Sequence, residues 1–183
     1  DDATGAHVLG LWKFEGEDAL KDVSGKGNDL TLQGAVLNAK GRFEGGLESF
    51  PGFPVQDKRH AAVTAAKPKL SPKGAFTMEM WIKAKDADAF PKDVRPVLLD
   101  MKYVPYEHQG FLFSLTGASG DSQRQMSVAI GLGLRTETWY SNAIELPPGQ
   151  WRHVAFTYDA LGTVTFIVDG SELNRVAKSD AGP

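Results

Sequence analysis

Ala75-Phe76-Thr77-Met78-Glu79-Met80-Trp81-Ile82-Lys83 is the stretch that decides the fold. Phe76, Met78, Met80 and Ile82 recur at every second position, and Thr77, Glu79, Trp81 and Lys83 fill the positions between. A period of two places one set on a buried face and the other on the opposite face, which is the signature of a β-strand covered on one side. No helical stripe of useful length occurs anywhere in the chain. Comparable runs at Val97–Tyr103, Gly110–Leu115, Gln125–Leu132, Thr136–Ile144 and Trp151–Tyr158 predict further strands. Thr163 to Val168 then enters Asp169-Gly170, a strong hairpin signal.

Working toward the N-terminus, His7 to Phe14 predicts a first strand with Trp12 and Phe14 on one face. Asp22-Val23-Ser24-Gly25-Lys26-Gly27-Asn28-Asp29 is turn-rich, because Gly and Asn tolerate positive φ and Asp and Ser close local turns. Leu30, Leu32, Ala35 and Val36 predict a second strand, and Gly41 to Phe50 a third, kinked by glycine. Pro51–Pro72 reads as irregular, and Ala84–Pro96 and Ala118–Gln123 as surface loops. Many short strands at this spacing predict an all-β, two-sheet antiparallel sandwich in one domain, residues 1–183.

Composition narrows the function classes. The 183 residues are 42% hydrophobic and 23% charged with a net charge of −3. Acidic and basic residues interleave, so the sequence has neither the clustered basic face that nucleic acid demands nor a polybasic membrane segment. No apolar run approaches the roughly 20 residues a bilayer crossing requires, so no membrane insertion is expected. Without cysteine, disulfides and thiolate-ligated zinc are excluded. The chain opens on Asp1-Asp2-Ala3-Thr4-Gly5 with no leader pattern, as expected of a trimmed signal or an excised domain.

Four ordered patterns carry a family resemblance. They are Leu11-Trp12-Lys13-Phe14-Glu15-Gly16 with Asp22 to Asn28; Gly41-Arg42-Phe43-Glu44-Gly45-Gly46-Leu47; Phe76 to Ile82; and Gly149-Gln150-Trp151-Arg152-His153-Val154-Ala155-Phe156-Thr157-Tyr158-Asp159 running on to Val168-Asp169-Gly170. Together they resemble bacterial laminin-G-like domains of the concanavalin A-like lectin/glucanase superfamily. Gly46 to Pro51 and Glu137-Thr138-Trp139-Tyr140-Ser141 look like the lectin-like modules of large exported bacterial proteins. The resemblance implies jelly-roll topology and a secreted or cell-surface location. It also implies a closing strand pair with a Gly and an Ile-Asp-Glu-Val-like run. The chain stops instead at Ala181-Gly182-Pro183, so the expected sandwich lacks its last strands, which were trimmed, lost or are supplied by another chain.

The resemblance further implies a structural Ca2+ near Glu15, Asp22, Asn28, Gly45 and Gly46, since hard cations take six to eight oxygens from turn carbonyls and carboxylates. The competing reading is a tight turn in which Asp22 and Asn28 cap backbone groups. Carbohydrate-binding sandwiches stack sugar faces on aromatics and fix hydroxyls with a few polar groups. The candidates are Trp81 with Glu79, Trp139 and Tyr140 with Asn142, and Tyr103 and His108 in a loop-like stretch that also holds Tyr106. Against Trp81 stands the rule that a lone strand tryptophan usually packs; Trp12 and Trp151 read as core or sheet-end residues.

Catalysis has less behind it. A glycoside hydrolase or lyase needs paired carboxylates, and Glu79 is the only acid on its strand. The four histidines lack metal-ligand spacing, and no Gly-x-Ser-x-Gly elbow occurs. The expected function is a non-catalytic recognition module that binds glycan. The alternative is a structural or adhesion module that packs against protein, including other domains of a larger parent chain.

Overall fold

The computed structural model describes residues 5–49, 61–64, 70, 72–85, 95–102, 108–116 and 123–178. The chain divides into two compact units, Asp1–Pro72 and Lys73–Pro183. All regular structure among the described residues is β except one 3-10 position at residue 70, and every strand pair is antiparallel.

In the first unit β1 (Leu30–Gln33) pairs with β4 (Ala61–Thr64), and β2 (Val36–Asn38) with β3 (Gly46–Glu48). The predicted second strand is thus two strands, separated where Gly34 takes a φ of 80° that ends the ladder. The predicted third strand shrinks to β3, and β4 lies inside the stretch read as irregular. His7 to Phe14 forms no strand. Its backbone is held by isolated bonds and not by a ladder, with Leu11 N donating to Asp22 Oδ1 at 3.0 Å and Leu11 O accepting from Val23 N at 2.9 Å. The Trp12 indole folds back over Gly10, where any Cβ would meet it, and Phe14 adopts a φ of 59°.

The second unit carries two four-stranded sheets. One runs β12 (Ser171–Ala177), β11 (Thr163–Val168), β10 (Trp151–Tyr158), β5 (Phe76–Lys83). The other runs β6 (Val97–Asp100), β7 (Phe111–Leu115), β8 (Gln123–Gly131), β9 (Thr136–Glu145). Their inner faces share one core, in which Phe113, Met126, Val128, Trp139, Val154, Phe156, Val164 and Phe166 are fully enclosed. The alternating stripe of β5 packs onto that core, and the Phe76 ring meets Phe111 at 4.9 Å and Phe156 edge-on at 5.5 Å. Aromatic edges against faces follow from the ring quadrupole and add specificity to the apolar burial. This is the expected all-β, two-sheet antiparallel sandwich.

On one side the sandwich is stitched across its layers. Asn174 Oδ1 on β12 accepts from the Asn142 backbone N–H on β9 at 3.0 Å. Trp139 Nε1 donates to Gly162 O at 3.1 Å, and Lys178 Nζ reaches Glu137 Oε2 at 3.1 Å.

Candidate functional site

The outward face of β5 meets that of β10 through a fixed register: Lys83 opposite Trp151, Trp81 opposite His153, Glu79 opposite Ala155. This pairing brings together residues far apart in sequence. The Trp81 ring lies 5.3 Å from the His153 ring at a tilt of 55°, and His153 Nε2 is 3.4 Å from Glu79 Oε2. Trp81 is 38% exposed on this face, an open position for so large an apolar ring. One step along, Lys83 Nζ stands 4.9 Å over the Trp151 ring, a cation held on an aromatic face. Arg152 Nε donates to Asp169 Oδ2 at 2.6 Å, and Asp169 Oδ1 accepts from His153 N at 2.9 Å, which anchors the start of β10. The face therefore offers a half-exposed indole flanked by a carboxylate and an imidazole.

The other aromatic candidates separate. Trp139 is wholly buried, and its N–H is satisfied by Gly162, so its reading as a ligand-stacking residue is corrected: it is a core residue. Its neighbour Tyr140 points the opposite way and is 47% exposed beside the exposed Asn142, on the outer face of the second sheet. Trp81 and Tyr140 thus lie on opposite outer faces of the sandwich and cannot serve one ligand together. His108 sits at the end of β7 and β9, where its Nδ1 is 3.4 Å from Thr136 Oγ1 and the buried Lys102 donates to the same hydroxyl at 3.0 Å. Tyr103 and Tyr106 lie outside the described residues.

Among the candidate cation ligands, Asp22 is committed to the chain itself. Its Oδ1 accepts from Leu11 N, Ser24 N and the Ser24 hydroxyl, and its Oδ2 from Asn28 N. Burial alone would raise its pKa, but the hydrogen bonds from the Ser24 side chain and from the Leu11, Asn28 and Ser24 backbones together hold it below the ordinary carboxylate value. Asn28 is buried and donates through Nδ2 to Leu9 O at 2.9 Å, while its Oδ1 is buried without a hydrogen-bond partner. The Gly45 backbone packs directly on the Phe14 carbonyl and the Glu15 Cα, and Gly46 belongs to β3 opposite Asn38. Of these two side chains, the Asp22 carboxylate is taken up by the chain's own hydrogen bonds, and the Asn28 Oδ1 is left for an outside partner. Among the described residues no three of His, Cys, Asp and Glu converge as a metal-holding group.

Sequence reasoning missed His153 as a partner of Trp81. The alternation of Trp151, His153 and Ala155 was visible, but the register that sets them against Lys83, Trp81 and Glu79 was not.

No curated protein sequence matches the chain. Among solved structures, the binding domain of Paraclostridial Mosquitocidal Protein 1 resembles it with a TM-score of 0.64 at 16% identity, over 94% of this chain and 40% of that one. The binding domain of botulinum neurotoxin DC, solved in complex with rat synaptotagmin II, gives 0.63 at 13% identity over 95% and 40%. A chain of botulinum neurotoxin type C, whose cell entry is dependent upon interaction with two ganglioside molecules, gives 0.58 at 11% identity over 88% and 37%. The present chain thus spans about 40% of the length of these proteins, and at such identity the likeness speaks for the fold. A family model matches residues 57–182, covering more than half of the sequence and both sheets of the second unit, and the chain accordingly belongs to the concanavalin A-like lectin/glucanase superfamily, of laminin-G type.

Proposed function

We propose that this protein is a non-catalytic recognition module that binds carbohydrate on the outer face of the β12-β11-β10-β5 sheet. The observation that carries the reading is the half-exposed Trp81 indole with Glu79 and His153 at its side. A pyranose C–H face stacks on the indole, and the carboxylate and imidazole fix its hydroxyls. Hydrolysis has no comparable support: Glu79 has Thr77 and Trp81 beside it on β5 and Ala155 across from it, while Glu172 and Asp169 are paired with Arg175 and Arg152. A retaining glycosidase would need a second carboxyl group about 5–5.5 Å away.

The test is glycan-array screening followed by calorimetry on the best hit, for the wild type and Trp81→Ala. Binding should vanish in the variant while its unfolding midpoint stays near that of the wild type. A wild type that binds no glycan, or a Trp81→Ala variant that binds as well as wild type, would sink the proposal. A protein ligand is the second reading, favoured by the synaptotagmin complex of one protein that shares the fold. Secretion or surface display of the parent protein, and Ca2+ held through Asn28 Oδ1 with backbone carbonyls, complete the proposal; the first is checked by protease shaving of intact cells.

A further inference from the structure

The outer face of the second sheet lies low in its middle. One register row crosses it, with Val97 on β6, Ser114 on β7, Ser127 on β8 and Tyr140 on β9. Because Phe113, Leu115, Met126 and Val128 enter the core, strand alternation turns both serines outward. Yet Ser114 is 7% and Ser127 8% exposed, while Val97 and Tyr140 at the ends of the row stand at 53% and 47%. The row is a trough three strand spacings wide, about 14 Å, with two hydroxyls on its floor. Neither serine hydroxyl has a hydrogen-bond partner among the described residues. Both stay reachable from outside, because Asn28 Oδ1 is the one wholly enclosed side-chain polar atom without a partner among those residues. The fold gains nothing from hydroxyls so placed and unbonded, since alanine would fill the same positions.

Their arrangement specifies what would satisfy them. Paired residues on neighbouring antiparallel strands lie about 5 Å apart at Cα, so both O–H groups can reach one oxygen that carries two lone pairs. The charges of this face do not favour an anionic oxygen. The Asp100 carboxylate stands in the next row, opposite Leu112, and Glu145 farther along β9 is bound to Gln123. Lys102 is four residues along β9 from Tyr140, where it donates to Thr136 Oγ1. A neutral carbonyl fits better. Beside the serines the floor continues as Leu112 paired with Ala129, both half-buried, an apolar spot of methyl size. The exposed Tyr140 ring offers a wall on which a pyranose C–H face stacks. A carbonyl oxygen, a methyl next to it and a saturated ring beyond are the parts of an N-acetylated sugar.

We propose that the outer face of the β6-β7-β8-β9 sheet is a second carbohydrate site. It takes an N-acetylhexosamine, with the acetamido carbonyl on Ser114 and Ser127 and the sugar ring on Tyr140. The site faces away from Trp81 and does not rest on the reading of that face. With both faces occupied, the module joins two glycan chains.

The experiment is calorimetry of the full chain with tetra-N-acetylchitotetraose and with N-acetylgalactosamine, each beside its deacetylated counterpart. The wild type should bind an acetylated sugar and neither deacetylated one, and an excess of the Trp81-dependent glycan should not displace it. Tyr140→Ala, and Ser114→Ala combined with Ser127→Ala, should each lower the affinity by about tenfold or more. The serine double variant should melt no lower than wild type, because it removes hydroxyls that the fold leaves unbonded. Binding of neither acetylated sugar, equal binding of a deacetylated one, or displacement by the Trp81-dependent glycan overturns the proposal. Full affinity or a lowered melting temperature in the serine double variant does the same. So does tighter, serine-dependent binding of an acetyl-lysine peptide, which would make a modified protein the occupant.

Discussion

Replacing Trp139 by Phe separates the two roles a strand tryptophan can play. The indole is fully enclosed, 5.8 Å from the Tyr158 ring, with Lys178 Nζ 5.5 Å from its ring and its N–H on Gly162 O at 3.1 Å. Phenylalanine keeps the apolar contact in part and removes one of two hydrogen bonds to the Gly162 carbonyl, which retains the Lys178 N–H at 3.0 Å, a loss of about 0.5–1.5 kcal/mol. The volume lost against a rigid core adds about 1 kcal/mol, a fraction of the ~3–5 kcal/mol of full truncation to alanine. A total of about 1.5–2.5 kcal/mol, divided by a urea dependence of ~2 kcal/mol per molar, lowers the midpoint of the second unit by about 0.7–1.3 M. Urea titration followed by far-UV circular dichroism reads this directly, and glycan affinity of the folded protein should be unchanged. A midpoint shift under about 0.3 M, or loss of glycan binding at an unaltered midpoint, would refute the core assignment.

Asp22→Asn should flatten the acid limb of the stability profile. Because the folded pKa lies below the unfolded value, the wild type gains stability above the unfolded pKa, near pH 4, and loses it as pH falls through the folded one. A pH series of thermal melts in which wild type and variant run parallel would contradict this. Gly131→Ala should destabilise the second sheet, since an added Cβ would press on the His108 and Gln109 backbone; a melting temperature equal to wild type would count against it. If Asn28 Oδ1 serves a cation, Ca2+ should raise the melting temperature of the wild type and not of Asn28→Ala, and an equal response of both would remove the residue from the proposal.

The second unit was legible because its strands obey a period of two, and β10 spans the same residues in sequence and structure. Trp139 was misassigned for a definite reason. Trp139, Ser141 and Ile144 all point inward, and the spacing of three breaks the alternation where β8 and β9 slip register between Gln125 and Ser127. A bulge of that kind changes which parity faces the core, and a single strand read alone gives no sign of it. His7 to Phe14 misled in the opposite sense: it has apolar residues in suitable places but pairs with no strand among the described residues, and Leu11 bonds instead to the Asp22 carboxylate and to Val23. The Trp81, Glu79 and His153 grouping depends on strand pairing, which is a long-range property.

The hydrogen bond from Asn142 to Asn174 bears on how such modules coexist at high density. An edge strand with idle amide donors is a template on which the edge of a neighbouring molecule can grow. At Asn142 the donor is engaged by a side chain of the opposing sheet, and the register slip beside it distorts the flat rail that strand addition needs. Strand addition by a crowded neighbour should therefore be hindered at this point of β9, and Asn174→Ala, which frees the Asn142 donor, should ease it.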